Sequence, residues 1–284
     1  MSRAALEIAP PMATLPVFSQ EQLQMVSEMF FALTGNKLGP EKRSLIESRL
    51  RKRLMATNLT QAEYFKLLES SQTERAHFIT ALTTHKTDWF REKAHLDFLA
   101  KRVHDPAFLK QRSGPISVWS AACSTGEEPY SIAMTLLEQG IFNFQILGTD
   151  ISRECVEQAK SAVYSSKTVD AQVPNMIKKK YFLRGTRPDT LEQYRFNPEY
   201  RNNFKFQEFN LVSSVLMVNV RFDFIFLRNV LIYFDQEAGY EIVKRLCNYL
   251  KPGGYFVLGL SEAVTKPEQL GLKQVGNSTF TLCR

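Results

Sequence analysis

Glu127 and Glu128 follow a run of small residues, Ser120-Ala121-Ala122-Cys123-Ser124-Thr125-Gly126, which comes directly after the apolar pair Val118-Trp119. Small residues let a backbone approach a ligand closely. Carboxylates in a first helical turn suit the helix dipole. They repel phosphate, which needs N–H donors and a cation such as a P-loop lysine. The stretch therefore suits a ligand with hydroxyls or an amino group and little negative charge. S-adenosylmethionine is such a ligand; an ordinary tight βα turn is the other reading. Asp150 ends Gln145-Ile146-Leu147-Gly148-Thr149, about 20 residues on, where a carboxylate accepts from ribose hydroxyls or caps the next helix. Asn210, in Phe209-Asn210-Leu211, is placed to read an adenine edge. Arg228 and Asn229 interrupt an apolar run that starts at Phe222. Buried polar groups need partners, so this pair serves either the fold or a ligand.

The elements that must hold these residues follow from periodicity. From Ile116 onward, strands at 116–122, 144–149, 222–228, 255–260 and 278–283 alternate with helices at 127–139, 152–162 and 236–250. Such alternation predicts an α/β fold with a doubly wound, mostly parallel sheet, and ligands bind beyond the carboxyl ends of its strands. Residues 165–209 interrupt the alternation with a helical piece and two strand-like runs, near 191–196 and 203–209. They read as a small antiparallel β insert within a catalytic region spanning 106–284.

Residues 18–84 read as an all-α domain, behind a mobile tail over 1–17. Ser19-x-x-Gln22, Thr60-x-x-Glu63 and Ser71-x-x-Glu74 are capping boxes, each ahead of apolar residues at helical spacing. A helix over 40–55 carries Lys42, Arg49 and Arg53 along one line at i, i+7 and i+11. That line reads either as a solvated face or as a docking surface for an acidic partner. Residues 85–105 form a junction and a further helix.

A net charge of +7 and a pI near 9.2 allow an acidic partner without naming one. Cys123, Cys155, Cys247 and Cys283 form no CxxC, so a reducing compartment and no metal site are expected. No signal peptide or membrane-spanning stretch is expected. There is no G-x-G-x-x-G and no P-loop. The histidines are His77, His85, His95 and His104, all ahead of the α/β region, which leaves a nucleophilic triad unsupported.

Three segments together carry a resemblance: Trp119 to Ser131 (WSAACSTGEEPYS), the junction Ala81 to Glu92 (ALTTHKTDWFRE), and Arg228-Asn229-Val230-Leu231-Ile232-Tyr233-Phe234. In this order they resemble the chemotaxis-receptor glutamate methyltransferases of the CheR type, over nearly the whole chain after residue 18. The resemblance implies a Rossmann-like, seven-stranded methyltransferase fold. It implies S-adenosylmethionine, with S-adenosylhomocysteine as product, held by His85, Thr87, Arg91, Glu128, Asp150, Asn210, Leu211, Arg228 and Asn229. Relatives often carry asparagine at the position of His85. The resemblance also implies that Arg91 and Tyr233 orient the reacting carboxylate, and that Lys42, Arg49 and Arg53 face the receptor. The implied partner is the cytoplasmic part of a chemotaxis receptor, with its C-terminal tail gripped by the β insert in some relatives. A cytoplasmic monomer with no nucleic-acid partner is expected. The rival readings are a methyltransferase for another substrate, such as RNA, and a non-catalytic, cofactor-sensing adaptor.

Overall fold

The structure, a computed structural model, describes residues 17–110, 114–218 and 220–283. The tail expected over 1–17 lies outside them apart from Val17.

Four helices open the chain: α1 (Gln20–Thr34), α2 (Arg43–Thr57), α3 (Gln61–Ser70) and α4 (Gln72–Leu82). Both halves of the capping box form at Ser19/Gln22 and at Thr60/Glu63. Ser71 accepts from Glu74 N, but the Glu74 carboxylate does not return to the cap. Arg53 holds it bidentately, at 2.9 and 2.8 Å. Phe30, Ile46, Leu50, Leu54, Tyr64, Leu68 and Phe78 bury into one core. Pro40–Lys42 forms a 3₁₀ turn ahead of α2 rather than part of the expected helix.

The line of Lys42, Arg49 and Arg53 is corrected by these contacts. Arg53 is locked to Glu74, whose side chain is only 7% exposed. Arg49 Nη1 donates to the carbonyls of Ala81 and Thr83 at 2.6 and 2.7 Å. Both guanidiniums stitch α2 to α4 instead of facing outward. Lys42 Nζ lies 5.2 Å from the centre of the Tyr233 ring. Helical spacing places residues on a face but does not say which face the neighbouring helix covers.

The α/β part begins with α5 (Lys93–Arg102), α6 (Pro106–Lys110), β1 (Ile116–Ala121), α7 (Glu127–Glu138), β2 (Phe144–Asp150) and α8 (Arg153–Ser161). The insert follows, with β3 (Val163–Ser165), α9 (Ser166–Gln172), α10 (Asn175–Tyr181), β4 (Phe182–Arg184) and β5 (Gln193–Phe196). The chain then returns through β6 (Phe204–Glu208), β7 (Phe222–Leu227), α11 (Gln236–Cys247), β8 (Leu250–Leu258), β9 (Leu272–Gly276) and β10 (Thr279–Leu282). The main sheet has seven strands in the order β6-β2-β1-β7-β8-β10-β9. The first five run parallel, and β10 pairs antiparallel with β8 and β9.

Period-two burial explains the two cores. Val118, Phe224, Phe226 and Val257 point to the face covered by α5 and α7. Trp119, Ala121, Ile225, Leu227 and Phe256 point to the face covered by α11. Among the described residues no helix is long and apolar enough to cross a membrane.

Two expectations about the insert change. The run near 203–209 is not part of it: β6 pairs parallel with β2, from Ile146↔Phe204 to Asp150↔Glu208, and forms an edge of the main sheet. The small sheet is β3-β5-β4. The run near 191–196 supplies its central strand, so its free edges are β3 and β4. Strand β9 was not foreseen, because Lys273 and Gln274 break its apolar pattern.

Candidate functional site

Strand order reverses between β1 and β7, and ligands bind beyond the carboxyl ends of strands at such a switch point. A cavity of about 850 Å³, counted with its open mouth, lies there. His85, Thr87 and Arg91 line it from the junction, Glu128 from α7, and Asp150 from β2. Asn210 and Leu211 line it after β6, and Arg228, Asn229 and Tyr233 after β7. Lys42, Arg49 and Arg53 do not. Thr34, at the end of α1, and Asn36, just past it, also line the cavity, so the helical domain forms part of its wall.

Left-handed backbone clusters around this cavity. Ala122, Ser124 and Gly126 have φ of 72, 50 and 102°, and Phe90, Glu92 and Asn229 have φ of 53, 52 and 58°. Such conformations are costly for residues other than glycine and persist only where the surroundings enforce them. At Gly126 a Cβ would also meet the Tyr164 hydroxyl at 2.7 Å and Ala159 at 2.9 Å. The turns bend the β1 loop so that Ser124 N donates to Asp150 Oδ2 at 2.8 Å.

Arg228 is the hub of the floor. It is 6% exposed. Its Nη1 donates to Glu128 Oε2 at 2.9 Å, and its Nη2 donates to Glu92 Oε2 at 3.1 Å and to the Arg91 carbonyl. Asn229 Nδ2 donates to Glu92 Oε1 at 3.0 Å. Burial pushes the Glu128 carboxyl up despite the Arg228 charge and the Ser120 hydroxyl, which donates to it at 2.7 Å. At Glu92 burial acts the same way, but the Asn229 hydrogen bond and the Arg228 charge prevail and hold it below the usual range. Burial likewise raises Glu127, whose carboxylate accepts from Thr125 Oγ1 at 2.6 Å.

Asp150 is not the cap of the next helix. It lines the cavity, and its Oδ1 accepts from Ser152 N at 2.9 Å. The cap of α8 itself is Ser152. Burial raises the Asp150 carboxyl above its ordinary value, against these backbone donors. Asn210 Nδ2 donates to the Leu33 carbonyl at 2.9 Å and its Oδ1 accepts from Val212 N. Its side chain thus ties the strand end to the helical domain while bordering the cavity. His85 turns Nε2 to the Thr80 carbonyl at 3.0 Å and Nδ1 to Cys155 Sγ at 3.2 Å. Arg91 contacts the Lys86 carbonyl at 3.2 Å. The Tyr233 hydroxyl has no hydrogen-bond partner among the described residues, and its backbone carbonyl accepts from Lys37 N.

Two carboxylates escaped the sequence reading. Glu92 appears only as the last residue of the junction segment and carries no role there. Glu262 accepts from Asn229 N, Leu231 N and Gly259 N at 2.7, 2.7 and 2.8 Å. It fixes the backbone that carries Asn229 and Tyr233. Its signal was a carboxylate soon after the strand end Val257-Leu258. A soluble cofactor with ribose hydroxyls, an amine and a sulfonium fits this lining. The lining carries Glu128 and Asp150 at the ends of β1's loop and of β2, and the buried amide oxygen of Asn36 lacks a partner.

Fold and site together define an S-adenosylmethionine-dependent methyltransferase. Residues 85–279 match the CheR methyltransferase SAM-binding domain, and residues 21–83 match the CheR methyltransferase all-alpha domain. The chain is 37% identical over 268 residues to chemotaxis protein methyltransferase 2 of Pseudomonas aeruginosa, covering 93% of this chain and 94% of that protein. It is 38% identical over 250 residues to the chemotaxis protein methyltransferase of Escherichia coli, covering 86% of this chain and 85% of that one. The chain belongs to the CheR methyltransferase family, and it is a chemotaxis methyltransferase that uses S-adenosylmethionine.

Proposed function

We propose that the methyl group goes to the side-chain carboxylate of glutamates in chemotaxis receptors, giving glutamyl methyl esters and S-adenosylhomocysteine. The observation that supports this most is that Arg91 and Tyr233, whose hydroxyl has no partner among the described residues, line the same cavity as Glu128 and Asp150. They give that cavity a cation and a neutral donor suited to an incoming carboxylate.

The residues need not supply a base. Glutamate has a pKa of about 4.3 and is ionised near neutral pH. Bound S-adenosylmethionine supplies a methyl group on a cationic sulfur that departs as a neutral thioether. The task of the chain is to align the two reactants and to exclude water. Glu128, Asp150, Arg228 and Asn229 hold the cofactor side. Arg91 and Tyr233 orient the carboxylate from the cavity wall they both line.

Receptor docking falls to the helical domain. With Arg49 and Arg53 engaged internally and Arg43 and Arg51 paired with Glu47, Lys42 and Lys52 remain as the charges that α2 and its leading turn offer a receptor. A receptor tail adding a strand to the insert has β3 or β4 as its edge. β4 is favoured because Leu183 is 53% exposed beside Arg184. This reading puts the chain in the cytoplasm with the receptor's signalling domain.

Labelled S-adenosylmethionine incubated with receptor-bearing membranes tests the proposal. Base-labile label on receptor protein supports it. Label in RNA, or no transfer at all, overturns it in favour of another methyltransferase or a silent adaptor.

A further inference from the structure

Behind the cavity wall three different ligand-type side chains converge. One ligand atom from each of His85, Asp150 and Cys155 lies within 4.8 Å of the other two. The Thr80 carbonyl can only accept, so the 3.0 Å contact puts the imidazole proton on Nε2. Nδ1 is then a bare lone pair, and it faces Cys155 Sγ at 3.2 Å. A histidine whose outer N–H is held by a backbone carbonyl and whose other nitrogen faces a thiol is oriented as metal-binding histidines are. Asp150 is fixed by Ser124 N and Ser152 N, one donor to each oxygen. Each oxygen keeps a second acceptor site.

We propose that His85, Cys155 and Asp150 form a site for a soft divalent cation such as Zn²⁺, occupied in competition with the cofactor. One nitrogen, one sulfur and one oxygen donor suit zinc or cobalt and do not suit magnesium or calcium, which take oxygen ligands. Zinc ligands at about 2.0–2.3 Å from the metal form a compact tetrahedron, which small side-chain rotations from the present spacing reach. The S–H bond breaks, an S–metal bond forms, and the proton passes to bulk buffer. The thiolate and the Asp150 carboxylate then balance the 2+ charge. The fourth position opens to the cavity through His85 and Asp150, which both line it. A metal held by Asp150 withdraws that carboxylate from the ribose, so the inference rests on the cofactor-holding role assigned to Asp150.

The test uses the full chain and binding alone, so its outcome is independent of whether glutamate is the acceptor. Co²⁺ added to metal-free protein is expected to give one equivalent of a near-ultraviolet thiolate charge-transfer band. The band is expected to persist in Cys283→Ser and to vanish in Cys155→Ser. Zn²⁺ at ten times its dissociation constant is expected to raise the apparent Kd for S-adenosylhomocysteine about tenfold by mass action. Cys155→Ser is expected to match wild type without metal and to ignore zinc. Absence of the band in wild type overturns the proposal whatever the variants do. So does a band that survives Cys155→Ser, or zinc binding that leaves S-adenosylhomocysteine affinity unchanged.

Discussion

Arg228 Nη1 donates to Glu128 Oε2 at 2.9 Å, joining the end of β7 to the first turn of α7 beneath the cofactor cavity. The same guanidinium reaches Glu92 on the junction. One cation thus compensates two carboxylates in a place where water cannot. Removing one member of a buried ion pair costs about 3–5 kcal/mol, since the partner charge is left uncompensated. Arg228→Leu is expected to lose that much stability, read as a lower urea midpoint at unchanged slope, and to lose cofactor binding. Glu128→Gln keeps the shape and one acceptor, so it is expected to destabilise less while still weakening the cofactor. Equal stability of wild type and Arg228→Leu would show that the hub does not hold the fold.

Arg91 and Tyr233 act on the other reactant. Arg91→Ala and Tyr233→Phe are expected to bind S-adenosylhomocysteine nearly as wild type does, by calorimetry, and to transfer methyl groups about 10²-fold more slowly, as expected when a positioning contact is lost. A matching loss of affinity in either variant would move that residue to the cofactor side.

Acid should weaken cofactor binding before it weakens the fold. Burial raises the carboxyls of Glu128 and Asp150, which both line the cavity. They take up protons at a pH above the ordinary carboxylate range, and the ionised cofactor wall is lost there. Over the window between the unfolded and raised folded values the native state binds more protons than the unfolded one. These groups therefore do not lower stability as pH falls through that window. Glu92 has the opposite sign: its folded value is depressed, so its stabilising contribution is lost only as pH falls below the ordinary range. S-adenosylhomocysteine titrations alongside thermal melts check the order. Simultaneous loss of binding and fold on acidification would contradict it.

On the receptor side, charge reversal at Lys52, which is exposed on α2, is expected to slow receptor methylation and flatten its salt dependence without changing Tm. Arg53→Glu instead places two carboxylates together at Glu74 and is expected to unfold the helical domain. A Lys52→Glu rate identical to wild type across a salt series would remove α2 from the docking surface.

Replacing Arg184 by proline removes an N–H that β4 turns to its free edge, while the ladder to β5 runs through the Leu183–Arg195 pair and stays in place. If the receptor tail docks on β4, this variant is expected to lose tail-peptide binding by calorimetry and to keep S-adenosylhomocysteine affinity. Unchanged peptide binding would point to β3.

Residue types and spacing were enough to fix much of this protein. Period-two apolar runs and their turns determined the parallel sheet, because a strand buried on both faces has little choice of side chain. Capping pairs such as Ser19/Gln22 determined helix starts, because those bonds close within one turn. Glu128, Asp150, Asn210, Arg228 and Asn229 could be picked out because ligands in such sheets gather at strand ends, whereas His85, Thr87, Arg91, Leu211 and Tyr233 came only with the family resemblance. The tertiary structure decided what depends on contacts between distant segments. The carboxylate of Glu74 claimed Arg53, and the end of α4 claimed Arg49, although both look like solvent-facing charge in one dimension. Pairing with β2 took β6 out of the insert and left β4 as a free edge. Glu92 and Glu262 became anchors of the pocket only when the chain brought them to Arg228 and to the backbone of Asn229, and no local pattern encodes that meeting.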